Sequence, residues 1–224
     1  MCGRYTTPAE SEAERYFTVH LLHWHFAARY NVAPSQQVPA VRLKDGQREG
    51  LMLRWGLVPF FAQGIPGKYS TINARIETLV TSPAYRGAWK RAQRCILPAS
   101  GFYEWHLNAD GSKQPYFIHA ADQPVFGFAG LWDRSTRADG TVIESCTIVT
   151  MPANALLAEI HNAPGKQRMP AMLPASAHEA WLTGNAAEAH AVLAPYPADC
   201  MVAWPVSPRV NSPRQDDASL IQAQ

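Results

Sequence analysis

Apolar and polar residues alternate in short runs through the middle of the chain, which is the pattern of half-buried β-strands. The predicted strands cover residues 38–43, 51–55, 94–97, 101–105, 116–119, 125–132, 142–149 and 201–204. Asp45-Gly46 is a tight-turn signal that joins the first two strands into a hairpin, and residues 108–111 and 138–140 are further turn signals. Short connections of this kind favour antiparallel pairing over a doubly wound parallel sheet.

Helical patterns are short and lie around these strands. They cover residues 8–17, 82–93, 152–161, 176–182 and 185–193. After Pro205 the chain becomes proline-rich and polar, and it contains neither an internal repeat nor a low-complexity tract. The sequence therefore predicts a single α+β domain over residues 1–224, rich in antiparallel strands, with residues 210–224 as a polar C-terminal tail.

Composition narrows the class of protein. The chain has 224 residues, of which 47% are hydrophobic and 17% charged, and this suits one compact soluble domain. No apolar stretch approaches the roughly 20 residues of a membrane-spanning helix, and no signal-peptide pattern is present, so we expect a cytoplasmic protein without a membrane partner. The net charge of +2 is too small to indicate a nucleic-acid partner by itself.

Cysteine and histidine spacing gives little support for a metal or a disulfide scaffold. Cys95 and Cys146 lie inside apolar runs and are predicted to be small buried residues, whereas Cys2 has no such cover. His20, His23 and His25 imitate a ligand cluster, but no second ligand group follows at a matching spacing. No nucleotide-binding loop is visible either, so we expect no metal and no cofactor.

Candidate chemistry begins at Met1-Cys2-Gly3, where the small second residue allows methionine aminopeptidase to expose Cys2 as the N-terminus. The resulting α-amine has a pKa near ~8 and lies two carbons from the thiol. An aldehyde can condense with this amine to an imine, which the thiol can close to a five-membered thiazolidine. The alternative is that Cys2 is only a small residue after the start methionine.

Three polar residues stand where a turn or a core residue is expected. Asn73 offers both a donor and an acceptor, although it could also cap a helix. Glu104 is flanked by aromatic residues that could raise its pKa for acid–base work, or it could lie on the polar face of a strand. His161 ends a helical pattern, which favours its charged form, and helix capping explains it equally well.

Aromatic residues in the segment WGLVPFF at residues 55–61 could stack on unpaired bases. Such stacking contributes roughly 1–3 kcal/mol per base in single-strand binders. A core strand explains Trp55 and its neighbours nearly as well.

Eight segments in one order resemble the SOS response-associated peptidase (SRAP) family, whose bacterial and vertebrate members shield abasic sites in single-stranded DNA. They are MCGRY at 1–5, RYNVAP at 29–34, WGLVP at 55–59, INARIET at 72–78, RCILPASGFYEW at 94–105, IH at 160–161, RMP at 168–170 and VSPRVN at 206–211. The resemblance implies one α+β domain with a basic channel for single-stranded DNA leading to Cys2. It also implies a nucleoid-associated protein, which we expect to be a monomer.

The resemblance assigns roles to individual residues. Cys2 would form the thiazolidine with the ring-opened abasic sugar, and Asn73 would hold the sugar and the N-terminus. Glu104 would move protons, and His161 would assist ring opening and contact a phosphate. The DNA-contacting set would be Arg4, Arg29, Asn31, Pro34, Trp55, Phe60, Phe61, Arg75 and Arg168.

The sequence departs from the family pattern in two places. Phe60 and Phe61 stand where many members have tryptophan, and residues 162–167 separate His161 from Arg168, which adds Lys166. Two other function classes remain open at this stage: an N-terminal cysteine-type peptidase whose α-amine serves as base, and a single-strand binder that forms no covalent product.

Overall fold

A computed structural model describes residues 2–224 and confirms the α+β class. The strands are β1 (Tyr5–Thr7), β2 (Leu21–His23), β3 (Arg29–Val32), β4 (Gln37–Lys44), β5 (Gln47–Trp55), β6 (Asn73–Arg75), β7 (Arg94–Ala99), β8 (Gly101–Leu107), β9 (Lys113–Ala120), β10 (Phe126–Thr136), β11 (Val142–Pro152), β12 (Arg168–Pro170), β13 (Met172–Leu173) and β14 (Met201–Pro205). The helices are α1 (Glu10–Phe17), α2 (Arg86–Lys90), α3 (Ala155–Ile160), α4 (His178–Thr183) and α5 (Ala186–Ala191).

The strands form two sheets. One has the order β14-β9-β8-β1-β3, and the other has the order β12-β11-β10-β7-β4-β5-β2 with β13 on β10 and β6 on β11. An additional pairing of β11 with β5 closes the second sheet into a barrel. Strands joined by short connections are antiparallel as predicted, whereas β2–β5, β5–β11 and β6–β11 are parallel pairs between strands distant in sequence.

Trp55 belongs to this core and not to the surface. Its side chain is fully buried, meets the ring of Tyr5 edge-on at 5.2 Å between centroids, and donates from Nε1 to the carbonyl of Ile72 at 2.9 Å. Edge-to-face packing and a satisfied indole N–H are what a buried tryptophan requires. The prediction that Trp55 contacts DNA is therefore wrong, and its alternative as a core strand residue holds.

The predicted helices form, but they are shorter than predicted. The largest difference is at residues 82–93, where only Arg86–Lys90 are helical: a turn precedes them, and Ala92 adopts a left-handed φ of 52° after them. Helix α5 begins directly after its N-cap, Asn185, whose side chain accepts hydrogen bonds from the backbone amides of Ala187 and Glu188.

The segment at residues 210–224 packs against the rest of the molecule. Val210 and Leu220 are fully buried, and the Asp216 carboxylate accepts bonds from the backbone amides of Tyr30 and Asn31. The segment is thus docked on β3 although most of its residues are polar. None of the helices within residues 2–224 is long and apolar enough to span a bilayer.

Candidate active site

Short strands bring Asn73 next to Cys2. β6 pairs in parallel with β11, and from this position Asn73 Nδ2 donates to the Cys2 carbonyl at 2.9 Å. The Tyr85 hydroxyl donates to the Asn73 carbonyl at 3.0 Å and fixes the backbone of β6. Asn73 Oδ1 is buried without a hydrogen-bond partner among the described residues, which leaves an acceptor for an amine or a sugar hydroxyl.

The thiol of Cys2 is fully buried, with Sγ 3.7 Å from the Arg4 carbonyl. The expectation that Cys2 lacks cover is therefore wrong: the residue leads directly into β1, which lies between β8 and β3 in the first sheet. Burial and, to a smaller extent, the charge of Glu104 raise the pKa of the thiol well above its usual value. The thiol is thus protonated at neutral pH, and a group nearby must take its proton when it reacts.

Glu104 and His161 form a buried pair, and burial shifts their pKa values in opposite directions. Glu104 on β8 is 2% exposed, and burial raises its pKa to about 7. His161 caps the C-terminus of α3, with Nδ1 3.7 Å from Glu104 Oε2. Burial lowers the pKa of His161 to about 4. The expectation of a charged imidazole from the helix end is therefore wrong, because desolvation outweighs the helix dipole.

Glu104 and His161 open onto a cavity with a volume of about 720 Å³. Its wall consists of Arg75, Glu104, Trp105, Leu107, Lys113, His161, Ala163, Gly165, Lys166, Arg168 and Asn211. Sequence reasoning assigned Arg75 and Arg168 to DNA contact, and both lie here. It missed Trp105, Lys113 and Asn211, although Trp105 and Asn211 fall inside the family-like segments 94–105 and 206–211.

Positive charge dominates the cavity wall. Four cationic side chains, Arg75, Lys113, Lys166 and Arg168, face one acidic residue, Glu104, whose raised pKa leaves it partly neutral. Arg168 is engaged by a bidentate ion pair with Glu77, with both N–O distances 2.9 Å. A concave surface with excess positive charge concentrates polyanions such as nucleic acid.

Arg4, Arg29 and Asn31 are brought together by the C-terminal segment. Arg4 Nη1 donates to Asn31 Oδ1 and to the carbonyl of Val210, each at 3.0 Å. The Arg29 guanidinium donates to Asp216 at 2.8 Å. These interactions, within the chain, hold the segment in place. They also hold part of the cavity wall, because Arg4 Nη2 donates to the carbonyl of Asn211, which lines the cavity.

The remaining predicted DNA-contacting residues lie on other surfaces. Phe60 and Phe61 are 53% and 56% exposed, and Arg91 Cζ lies 4.6 Å above the ring of Phe60. They line a groove of about 540 Å³ that also carries Arg86 and Lys90. Pro34 is exposed in a separate groove of about 360 Å³ beside Arg54 and Lys68.

In the histidine cluster at residues 20–25, His23 and His25 each lie beside a carboxylate. His23 Nδ1 lies 2.7 Å from Glu49, and His25 Nδ1 lies 3.2 Å from Glu10. Among residues 2–224 no group of three or more histidine, cysteine, aspartate or glutamate side chains is arranged to hold a metal ion.

Comparison with known proteins gives a family and several relatives. The family model described as SOS response associated peptidase (SRAP) matches residues 1–213. "Abasic site processing protein YoqW" of Bacillus subtilis is 36% identical over all of both chains, and "Abasic site processing protein YedK" of Escherichia coli is 34% identical over 87% of this chain and 84% of that one. A crystal structure of a protein from Bacteroides thetaiotaomicron superposes with a TM-score of 0.87 at 28% identity, covering 100% of both chains.

Proposed function

The chain belongs to the SRAP family, and from this premise we propose that it captures abasic sites in single-stranded DNA through a covalent thiazolidine at Cys2. The observation that carries the proposal is the convergence of Asn73, Glu104 and His161 beside Cys2 at the end of a cationic cavity. A hydrolase acting on neutral peptides has no need for such a charge distribution, whereas a DNA strand does.

The abasic sugar must open before it can react. A base takes the proton of the C1′ hydroxyl, the C1′–O4′ bond breaks, and O4′ accepts a proton as the aldehyde forms. His161 suits both transfers: its low pKa keeps the imidazole neutral and available as the base, and the imidazolium formed is acidic enough to return the proton to O4′. Asn73 Oδ1 offers a second polar contact for the sugar or for the α-amine.

Imine formation follows once Met1 has been removed. The α-amine of Cys2 attacks C1′, and the carbinolamine loses its hydroxyl as water after that oxygen is protonated. Glu104, with its pKa raised to about 7 by burial, is present as an acid in a useful fraction of molecules at neutral pH. It is the group in the site best suited to supply this proton.

Ring closure requires a base that accepts a proton, whereas imine formation requires an acid that donates one. The sulfur of Cys2 bonds to C1′, the C=N electron pair moves to nitrogen, and the thiol proton ends on that nitrogen, so no atom leaves. Because the thiol pKa is raised, a base must carry the proton, and the Glu104 carboxylate formed in the preceding step is available. One carboxyl group therefore serves both steps, and reversal uses the same transfers.

A denaturing gel tests the proposal. The wild-type protein should form a shifted band with abasic single-stranded DNA and none with intact DNA. Cys2→Ala retains a free α-amine after methionine removal but has no thiol, so a band should appear only when borohydride traps the imine. A band of wild-type intensity from Cys2→Ala without reductant would contradict thiazolidine formation.

The alternative is an N-terminal cysteine-type peptidase, as the family description suggests. Attack on an amide requires thiolate character, and the buried Cys2 thiol has the opposite shift. Turnover of a peptide substrate in the absence of DNA would favour this alternative. Salt-sensitive binding without any shifted band would instead favour a non-covalent single-strand binder.

A further inference from the structure

We propose that Lys113 and Lys166 form a phosphate-binding subsite at the mouth of the cavity, which engages the DNA backbone beside the abasic nucleotide and is created by the insertion at residues 162–167. This inference rests on the proposed function and deepens it. It assigns a binding role to a segment that departs from the family pattern and to a lysine that no sequence segment indicated.

The sheet and the insertion place the two lysines on the same wall. In the β8–β9 ladder Lys113 is the partner of Leu107. Asn162, the first residue of the insertion, clamps the same position: its Oδ1 accepts from the Leu107 amide at 2.8 Å, and its Nδ2 donates to the Leu107 carbonyl at 3.0 Å. The insertion therefore starts directly beside Lys113, and both segments line the cavity.

The tip of the insertion is held by its own backbone. The Lys166 amide donates to the Ala163 carbonyl at 3.0 Å, and Gly165 between them adopts the left-handed φ of 70° that the turn requires. The far end is tied down because the Ala153 amide donates to the Gln167 carbonyl at 3.2 Å. Lys166 is thus an exposed cation on an anchored turn and lies on the cavity wall.

Lys113 and Lys166 differ from Arg168 in their ion-pair partners. Arg168 donates to both oxygens of Glu77 and to the carbonyl of Thr150, so most of its guanidinium is already engaged. Among the described residues, no carboxylate lies within ion-pair distance of Lys113 or Lys166. Both are therefore available to neutralise a phosphate, and the counterions that the DNA then releases are a large source of affinity for its backbone.

The neighbouring imidazole explains why a cation is needed here. Burial, with a smaller contribution from the charge of Lys166, lowers the pKa of His161. A neutral imidazole attracts a phosphate only weakly, so a phosphate bound at this end of the cavity requires another positive group. Lys166 follows His161 on the inserted turn and supplies it.

The experiment measures binding of the full chain to an intact single-stranded oligonucleotide as a function of salt. Lys166→Gln and Lys113→Gln should each weaken binding severalfold and reduce the slope of log affinity against log salt by ~0.7, the value for one lost contact with a single strand. Lys44→Gln is the control, because Lys44 is an exposed lysine that pairs with Glu49 beside the hairpin turn and does not line the cavity.

Neutral methylphosphonate linkages then locate the contact on abasic DNA. One linkage next to the lesion should weaken crosslinking of the wild type at low DNA concentration but have no further effect in Lys166→Gln. Inorganic phosphate at matched ionic strength distinguishes a strand subsite from a free-phosphate site: only the latter would show competition.

Two results would overturn the inference. An unchanged salt slope in both lysine variants would exclude the subsite, and competition by inorganic phosphate would assign it to a free anion. Either result is distinct from failure of the proposed function, in which the wild-type protein itself would form no crosslink with abasic DNA.

Discussion

At the scale of single residues, burial sets the chemistry of the site. Glu104 and His161 are both nearly inaccessible to solvent, and desolvation shifts their pKa values in opposite directions, to about 7 and about 4. The carboxyl group is consequently able to give and take a proton near neutral pH, while the imidazole remains neutral. Two groups with separated pKa values are a common basis for dividing acid and base roles.

Glu104→Gln should slow both formation and reversal of the adduct by roughly 100-fold or more, because the amide cannot transfer a proton. It should also remove the change of rate with pH that is centred on about pH 7 in the wild type. Rates of band formation and release across pH 5–9 are the measurement. Glu179→Gln, in an exposed pair with Arg48, is the control. Unchanged rates in Glu104→Gln would remove Glu104 from the mechanism.

Residue identity could be predicted from sequence more readily than residue environment. The family resemblance of the segments around Asn73, Glu104 and His161 selected residues that meet in space, whereas the residues alone left a structural alternative for each. The protonation state of His161 was not predictable, because it depends on desolvation by segments far away in the chain. Trp55 was ambiguous for the same reason: only its packing on Tyr5 shows that it belongs to the core.

At the scale of elements, very short strands and the C-terminal segment build the site. β1, β6 and β12 have three residues each, too few for a periodic pattern to be recognised, and they went unpredicted. Yet Cys2 leads into β1, Asn73 begins β6, and Arg168 begins β12. The long strands were predictable because local pattern determines them, whereas the short strands form only against partners that are distant in sequence.

Asn31→Ala should lower the free energy of unfolding by roughly 2 kcal/mol or more and loosen the C-terminal segment. Asn31 Nδ2 donates to the carbonyls of Val210, Ser212 and Gln215, and its loss removes this donor from the partly buried carbonyls of Ser212 and Gln215.

Urea denaturation and hydrogen exchange of residues 208–217 measure the two effects. Asn108→Ala, at an exposed turn, should change neither quantity beyond a few tenths of a kcal/mol. If exchange in this segment were unchanged in Asn31→Ala, the docking role of Asn31 would be refuted.

At the scale of the whole molecule, the site lies where the two sheets meet. The first sheet contributes β1 and β8 with Cys2 and Glu104, and the barrel contributes β6 and β12 with Asn73 and Arg168. His161 reaches the same place from α3. Because no single element contains the site, its geometry depends on the integrity of the entire fold.

Two buried histidines make the stability of this fold depend on pH. Burial lowers the pKa of both His161 and His178 to about 4, against 6.5 in an ordinary setting. Between pH 6.5 and pH 4 the unfolded state therefore binds more protons than the folded state. The stability that their neutral forms provide is complete above pH 6.5 and is lost as the pH falls through this range.

His178→Gln should flatten the acid side of the stability profile by on the order of 2 kcal/mol, since glutamine does not titrate. The free energy of unfolding from urea melts between pH 4 and pH 8 is the measurement. His190→Gln, on the exposed side of α5, is the matched control and should retain the wild-type profile. Equal pH dependence in His178→Gln and wild type would contradict the assignment.

The intact mass of the product formed with an abasic single-stranded oligonucleotide tests the central claim most directly. Thiazolidine formation predicts the mass of the protein without Met1 plus that of the whole oligonucleotide minus one water, in a product that survives heating without reductant. Unmodified protein would contradict capture of the abasic site by Cys2, and a protein carrying only a fragment of a cleaved strand would contradict a stable thiazolidine with the intact strand.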